Sequence, residues 1–315
     1  MFDKIVIFGV GLIGGSFARA LKHAGAAGTI VGVGRSSKSL ERALALGLID
    51  VAASSLAAAL QGADLVLIAA PVAQTEAILR QLAPHLQPGT IVTDCGSTKA
   101  DVVLAARRAL QDKVAQFVPG HPIAGRESNG PDAAIVDLYQ GKKVVLTRLA
   151  ENAPQDVERV ALAWRLCGAV IHHLSAEEHD RVFAAVSHLP HLLAFALVDA
   201  IASQDHAGML FQYAASGFRD FTRIAGSSPE MWRDISLANS TALLSELDVY
   251  LAQLERMRAL LAAKDGAGLE AIFGNARHAR QQWIAAIEGA APALSGAILP
   301  AHDNSLPFDD QEALS

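Results

Sequence analysis

The sequence predicts an α/β chain whose N-terminal half is a doubly wound parallel sheet and whose C-terminal half is all helical. From Lys4 to about Ile171, short apolar runs alternate with amphipathic segments of helical length, the pattern of repeated strand–helix–strand units. Glycines at Gly25, Gly47 and Gly89 punctuate the joins. Beyond Ser175 the strand-length runs stop and long helical segments take over.

Taken in order, KIVIFG (4–9), TIVGVG (29–34), DLVLIAA (64–70) and TIVTDC (90–95) read as buried parallel strands. IGGSFARALKHAG (13–25), SKSLERALALG (37–47) and TEAILRQLAPHL (75–86) read as the helices between them. After a loop holding His121, KKVVLT (142–147) and GAVIHHL (168–174) read as further strands around a helix near Pro154 to Cys167. Ser175 followed by Glu178 has the spacing of a capping box and marks the first helix of the second domain. Segments near 183–203, 232–263 and 269–287 supply its other helices. The expected organisation is a sheet domain over 1–174, a helical domain over 175–290, and a mobile tail over 291–315 that is rich in proline with a late acidic cluster.

Composition narrows the function. At 315 residues, with 51% hydrophobic and 5% aromatic content, the chain has enough apolar surface for a soluble two-domain protein. A formal charge of −6 supplies no basic field for a nucleic acid. Two cysteines, Cys95 and Cys167, make no disulfide framework and suit a reducing cytoplasm. The start, MFDKIVIFGV, lacks the layout of a signal peptide. The apolar run from Val182 to Ala202 has the length of a membrane span, but His188, Pro190, His191 and Asp199 are costly in hydrocarbon, so a helix of a soluble protein is expected.

The first strand ends in GVGLIG, which places Gly9, Gly11 and Gly14 in G-x-G-x-x-G spacing between strand and helix, with Val10, Leu12 and Ile13 between them. Gly9 permits the tight turn, Gly11 lets a pyrophosphate approach the backbone, and Gly14 allows close helix packing. A Rossmann-like dinucleotide site follows, with Pro71 beyond the DLVLIAA strand at the same sheet edge. Where an NAD site usually places a carboxylate, the second strand ends in Gly34, Arg35, Ser36 and Ser37, a cation and hydroxyls suited to a 2′-phosphate. NADP is therefore expected over NAD, against the plainer reading of Arg35 as a solvated turn residue.

DCGSTK (94–99) puts Ser97 at the cofactor edge of the sheet, either as a helix N-cap or in a chemical role. His121 lies in VPGHPIAG (118–125), a stretch too broken by glycine and proline to read as helix or strand. A histidine there is a surface residue, a metal ligand or a general base. Its place at the predicted nicotinamide edge favours the base. In SHLPH, His188 and His191 stand three apart, on one helix face. They read as core histidines or ligand contacts. No H-E-x-x-H pattern or third ligand makes a metal site of them, and no metal is expected. GFRDFTRIA holds Arg219, Asp220 and Arg223, of which one arginine can pair with Asp220 while the other meets a carboxylate. Trp232, Arg233 and Asp234 in MWRDI read as packing and salt bridges.

GVGLIGGS, DCGSTK, GHPIAG, SHLPH, GFRDFTRIA and MWRDI occur here in one order, and with them the sequence resembles the prephenate and arogenate (cyclohexadienyl) dehydrogenases of tyrosine biosynthesis. The resemblance runs from the glycine loop to about Trp283. It implies oxidative decarboxylation of a cyclohexadienol to an aromatic ring, in a homodimer formed through the helical domain. It also implies that His121 accepts the proton of the ring hydroxyl and that Ser97 orients that hydroxyl beside the nicotinamide. Arg223 is implied to bind a substrate carboxylate and His191, with His188 near it, to lie by the ring carboxylate and side chain. Ser216 stands before Gly217 where relatives often have a second glycine. No chorismate mutase segment precedes the glycine loop and the tail is short for a regulatory ACT domain, so any feedback by tyrosine is expected at or near the active site. The competing expectations are a β-hydroxyacid-type dehydrogenase, which would rely on a lysine in the helical domain, a non-catalytic NADP-sensing protein, and a metal-dependent hydrolase.

Overall fold

The computed structural model describes residues 1–290 other than Glu127, so the expected tail over 291–315 lies outside the described residues. Two compact units divide the chain, Met1–Asp248 and a second beginning at Val249.

The first unit opens with six parallel strands in the order β3-β2-β1-β4-β5-β6. These are β1 (Phe2–Phe8), β2 (Ala27–Val33), β3 (Val51–Ala52), β4 (Leu65–Ile68), β5 (Ile91–Asp94) and β6 (Phe117–Val118). Intervening helices α1 (Leu12–His23), α2 (Ser37–Ala45), α3 (Leu56–Leu60), α4 (Thr75–Leu82) and α5 (Ala100–Leu110) cover both faces. The strands are near-continuous runs of Val, Ile and Leu because both faces are buried, and alternate residues serve opposite cores. Ile5, Ile7, Leu65 and Leu67 join Phe17, Tyr139 and Trp164 on one face. Val6, Phe8, Val66 and Ile68 join Leu79, Val102 and Phe117 on the other. The parallel, doubly wound half expected from the sequence is thus present.

A second, three-stranded sheet was not expected. In it β7 (Gly120–Pro122) pairs antiparallel with β8 (Lys143–Leu146), which pairs parallel with β9 (Val170–His173), with helix α6 (Pro154–Leu166) between the last two. His121, read from the sequence as a loop residue, is the middle residue of β7, opposite Val145. Pro122 biases its predecessor toward extended backbone, and flanking bonds from Ile123 N to the Lys143 carbonyl (2.8 Å) and from Thr147 N to the Pro119 carbonyl (3.0 Å) complete the pairing that proline cannot donate to.

From Ser175 the chain is helical: α7 (Ala176–Phe183), a π-helical turn over Ala184–His188, α8 (Leu189–Ala202), α9 (Ala207–Gln212), α10 (Ser216–Thr222), α11 (Pro229–Ala238) and α12 (Ser240–Ala263). The capping box forms as expected, Ser175 Oγ accepting from Glu178 N at 3.1 Å and the Glu178 carboxylate accepting from Ser175 N at 2.9 Å. Helices α9 and α10 were not foreseen, and the single helix expected over 232–263 is broken at Asn239. There the side chain turns inward, its Nδ2 reaching the Asp180 carbonyl at 2.8 Å and His188 Nδ1 at 3.1 Å. The helical run Ala176–Ala202 is long and apolar enough to cross a membrane by length and composition. It also carries the buried polar pair His179 and Asp180, bonded into the site described below. Asp180 ties α7 to the start of α5, Asn239 ties the end of α11 to α7, and Trp232 and Ile235 of α11 join a core of the sheet; the first unit runs well past Leu174. In the second unit, α12 turns at Lys264 (φ 53°) into α13 (Gly266–Ala290), where Asp265 Oδ1 accepts from Gly268 N at 2.9 Å.

Candidate active site

The glycine loop takes the geometry its spacing predicts. Gly9 has φ +87°, and a Cβ there would stand 2.4 Å from the Ala69 carbonyl oxygen. A Cβ on Gly14 would stand 2.2 Å from the Gly9 oxygen, so this glycine lets α1 press against the loop. A Cβ on Gly11 would meet no protein atom within 4 Å. Gly11 is also the N-cap of α1 and no side chain caps the helix, so its first amides face that space. A backbone cradle with donors and room is what a dinucleotide pyrophosphate requires, and the residues fit the group. Val10 is buried in the core beneath the loop.

A cleft of about 410 Å³ brings Gly11, Leu12, Ile13, Pro71, Ser97 and His121 together, with Cys95, Gly125, Arg126, Ser228, Met231 and Ile235 completing its wall. Arg35 and Ser36 stand apart from it, beyond the end of β2. Arg35 is exposed, and Ser36 caps α2, its Oγ accepting from Ser39 N at 3.2 Å. A Cβ on Gly34 would meet only the Leu40 side chain, no nearer than 3.5 Å, so packing does not require glycine there. Ser97 is not the N-cap of α5; Lys99 holds that position without a side-chain capping bond, and Ser97 lines the cleft.

Position and protonation of His121 are set from behind. The carboxylate of Asp94, the last residue of β5, accepts from Gly120 N at 3.0 Å and Gly96 N at 2.8 Å and pairs with the fully buried Lys99 ammonium. One side chain therefore pins the Ser97 turn and the His121 strand to the same sheet edge. Behind the ring, His121 Nδ1 lies 2.8 Å from His179 Nε2, and His179 Nδ1 lies 2.8 Å from Asp180 Oδ1. Asp180 also accepts from Lys99 N and Ala100 N, both at 2.8 Å, at the start of α5. Burial alone would raise the Asp180 carboxyl, but the bonds from His179, Ala100 and Lys99 hold it below its ordinary value, so it is ionised and only accepts.

The tautomers follow in sequence. His179 must donate Nδ1–H to Asp180, so its Nε2 accepts, so His121 must donate Nδ1–H, and the lone pair of His121 is on Nε2. Burial first, then repulsion from His179 and Lys99, pushes His121 well below the ordinary imidazole value. His179 is also lowered, by burial, against the opposing pull of Asp180. The cleft is thus lined by a neutral histidine with an available acceptor nitrogen.

The other predicted residues are placed differently. His188 is 1% exposed, and burial pushes its imidazole down to about 4. It is bonded to Asn239 and lies against the Ser97 backbone. His191 is half-buried, stacked on Trp232 with ring centroids 3.5 Å apart, and its Nδ1 donates to the Ser187 carbonyl at 2.8 Å. Arg223 lines an adjoining recess of about 510 Å³ with Gly125, Arg126 and Ser128, near enough to His191 to help burial keep it neutral. Arg219 pairs loosely with Asp220 at 3.6 Å, and Arg233 with Asp234 at 2.6 Å. Among the described residues no group of three or more His, Cys, Asp or Glu side chains is arranged to hold a metal ion.

Sequence reasoning missed the bonds made by Asp94, His179, Asp180 and Asn239, and the place of Arg126 on the cleft wall. The adjacent His179-Asp180 pair just after a capping box was a usable signal, since a charged residue on an otherwise core-facing helix needs a partner. Nothing local in the sequence announced the others.

A glycine-lined helix N-terminus and a neutral histidine, sharing one cleft at the C-terminal edge of a parallel sheet, define a dehydrogenase that uses a nicotinamide dinucleotide. Residues 17–173 match the prephenate dehydrogenase nucleotide-binding domain and residues 175–275 the prephenate dehydrogenase dimerization domain. The chain belongs to the prephenate dehydrogenase family. It is 38% identical to the cyclohexadienyl dehydrogenase of Zymomonas mobilis, over 89% of this chain and 96% of that one. It is 37% identical to the prephenate dehydrogenase of Bacillus subtilis, over 93% of this chain and 80% of that one. It resembles the crystal structure of prephenate dehydrogenase from Aquifex aeolicus in complex with hydroxyphenyl propionate and NAD+, with TM-score 0.84 and 36% identity over 90% of this chain and 98% of that one.

Proposed function

We propose that the protein catalyses oxidative decarboxylation of prephenate, arogenate or both, giving 4-hydroxyphenylpyruvate or tyrosine, with NADP preferred over NAD. One observation carries the reading: His121, neutral and with its acceptor nitrogen on the cleft side, shares that cleft with the glycine loop. When bound, the nicotinamide supplies the hydride acceptor. His121 Nε2 takes the proton of the ring hydroxyl as the carbon bearing it is oxidised, and Ser97 Oγ orients that hydroxyl. Loss of carbon dioxide from the opposite ring carbon returns its bonding pair to the ring. The oxygen becomes a phenolate and recovers the proton from His121. Arg223 binds a carboxylate at the far end of the ring, beside His191. Gly9, Gly11 and Gly14 form the pyrophosphate cradle with the α1 amides, and Leu12, Ile13 and Pro71 line the wall beside it.

Arg35, exposed at the end of β2, and the Ser36 hydroxyl are assigned to the 2′-phosphate. Helices from Ser175 onward are assigned to dimerisation rather than to a membrane. Leu237 and Leu244 are 69% and 57% exposed in the single chain, a face that a second copy would cover. A cytoplasmic location follows from the same reading. The β-hydroxyacid alternative has little to build on, because the chain holds one lysine beyond Ser175, Lys264, at the α12–α13 turn.

Steady-state kinetics with prephenate and arogenate, each with NADP and NAD, test the proposal. Formation of reduced nicotinamide with at least one substrate and a higher kcat/KM with NADP are expected. Absence of turnover with both substrates sinks the activity. A preference for NAD, or an unchanged NADP KM in Arg35→Ala, sinks only the cofactor assignment.

A further inference from the structure

Arg126 stands where two cavities meet. It lines the cleft that holds Gly11, Ser97 and His121, and it lines the recess walled by Gly125, Ser128 and Arg223. It is exposed, and it makes no hydrogen bond or ion pair with any other described residue. By contrast Arg42, Arg80, Arg107 and Arg108 each pair with a carboxylate. Asp137 shares a smaller recess with Arg126 but stays beyond ion-pairing distance.

We infer that Arg126 recognises a second carboxylate of the substrate and biases the enzyme toward the keto acid prephenate over the amino acid arogenate. The inference rests on the reading of function above. With the ring hydroxyl at His121, the carbon across the ring points away from the base, and in this substrate class that carbon bears both acidic groups. A guanidinium binds one carboxylate through two parallel bonds, so Arg223 serves one of them. The other, drawn into the same recess with Arg223 already engaged by its neighbour, would lose hydration without a cation of its own. Arg126, on the path from cleft to recess, supplies that cation. An ammonium on the same side chain brings a like charge toward two arginines, which disfavours arogenate without any steric clash. A different assignment of Arg126, to the cofactor pyrophosphate, is open to it because it shares the cleft with Gly11, and it predicts a different kinetic signature.

The test is steady-state kinetics of Arg126→Gln and Arg126→Lys beside the wild type, with both substrates and with NADP varied. In Arg126→Gln the prephenate KM should rise about tenfold or more, the size of a lost charge-assisted contact. The ratio of kcat/KM for prephenate over arogenate should fall about as much, the NADP KM should stay within about twofold, and Arg126→Lys should recover part of the loss. An unchanged prephenate KM, an equal loss with both substrates, or a rise confined to the cofactor KM overturns the inference. If the wild type uses at least one substrate while the ratio stays fixed, this inference alone fails. If the wild type uses neither, the functional reading fails and takes this one with it.

Discussion

At the scale of single residues, the chemistry reduces to the state of one imidazole. His121→Asn keeps a polar side chain but removes the base, and kcat should drop by about 10²- to 10⁴-fold while cofactor affinity changes little. Near-normal turnover would remove His121 from the mechanism. Because burial, His179 and Lys99 hold His121 well below the ordinary imidazole range, the neutral form persists as pH falls. The acid limb of kcat/KM should therefore begin below about pH 6.5, the ordinary histidine value, and a midpoint above it would contradict the site's electrostatics. His179 acts through His121, accepting its Nδ1–H. His179→Gln, which offers an amide oxygen as acceptor, should retain more activity than His179→Leu, and the two should differ in the pH profile as well as in kcat. The sequence exposed His121 as a candidate through its neighbours Gly120 and Pro122 and through its place at the predicted nicotinamide edge of the sheet. It did not expose the chain behind the ring, because His121 and His179 are 58 positions apart and only the fold joins them.

At the scale of elements, the glycine loop offers a clean separation of folding from binding. Gly14→Ala forces a carbon to 2.2 Å from the Gly9 oxygen and should destabilise the sheet domain by about 1–3 kcal/mol or more. Gly11→Ala meets no protein atom, so urea denaturation should match the wild type while NADP affinity, read by titration, falls sharply. Equal effects of the two substitutions on stability would refute that division of roles. The link from β5 to β7 through Asp94 is equally testable. Lys99→Met strands the Asp94 carboxylate in a dry site and should cost about 3–5 kcal/mol in urea denaturation. β1, β2, β4, β5, β8 and β9 and the longer helices between them were legible because their apolar periods differ and glycines mark their ends, whereas the short β3, α3 and β6 were not read. The strand status of residues 120–122 was not, since proline argues against a strand until a partner such as β8 is known. The break at Asn239 was hidden for a similar reason: its cause is a pair of acceptors on α7 and the π-helical turn, about fifty positions earlier in the chain.

For the whole molecule, stability and assembly follow from what the helical segments bury. Burial holds His188 at about 4, against 6.5 in an unfolded chain. The unfolded state therefore binds a proton that the folded state refuses, and stability is full above about pH 6.5 and declines as pH falls toward 4. Thermal unfolding across that range should show the decline, and His188→Gln should flatten part of it. A chain mass doubled in light scattering would support the dimer proposed from the exposed apolar helices, and a monomer at micromolar concentration would count against it. The change from mixed to all-helical segments at Ser175 was legible from the pattern. The division near Asp248 was not, because it depends on side chains of α7 and α11 that reach back to the sheet.

The row of side chains behind His121 ends at Asp180, and everything else that meets that carboxylate is a peptide N–H, a group that gives hydrogen bonds and takes no proton. The row is a cul-de-sac. On the proposal that His121 is the base, positive charge gathered on its ring can be shared inward, but the proton on its cleft-side nitrogen has no onward side-chain acceptor behind it and leaves by the cleft. A base built this way resets on its cleft side alone, to the product oxygen or to solvent, and asks nothing of the protein interior.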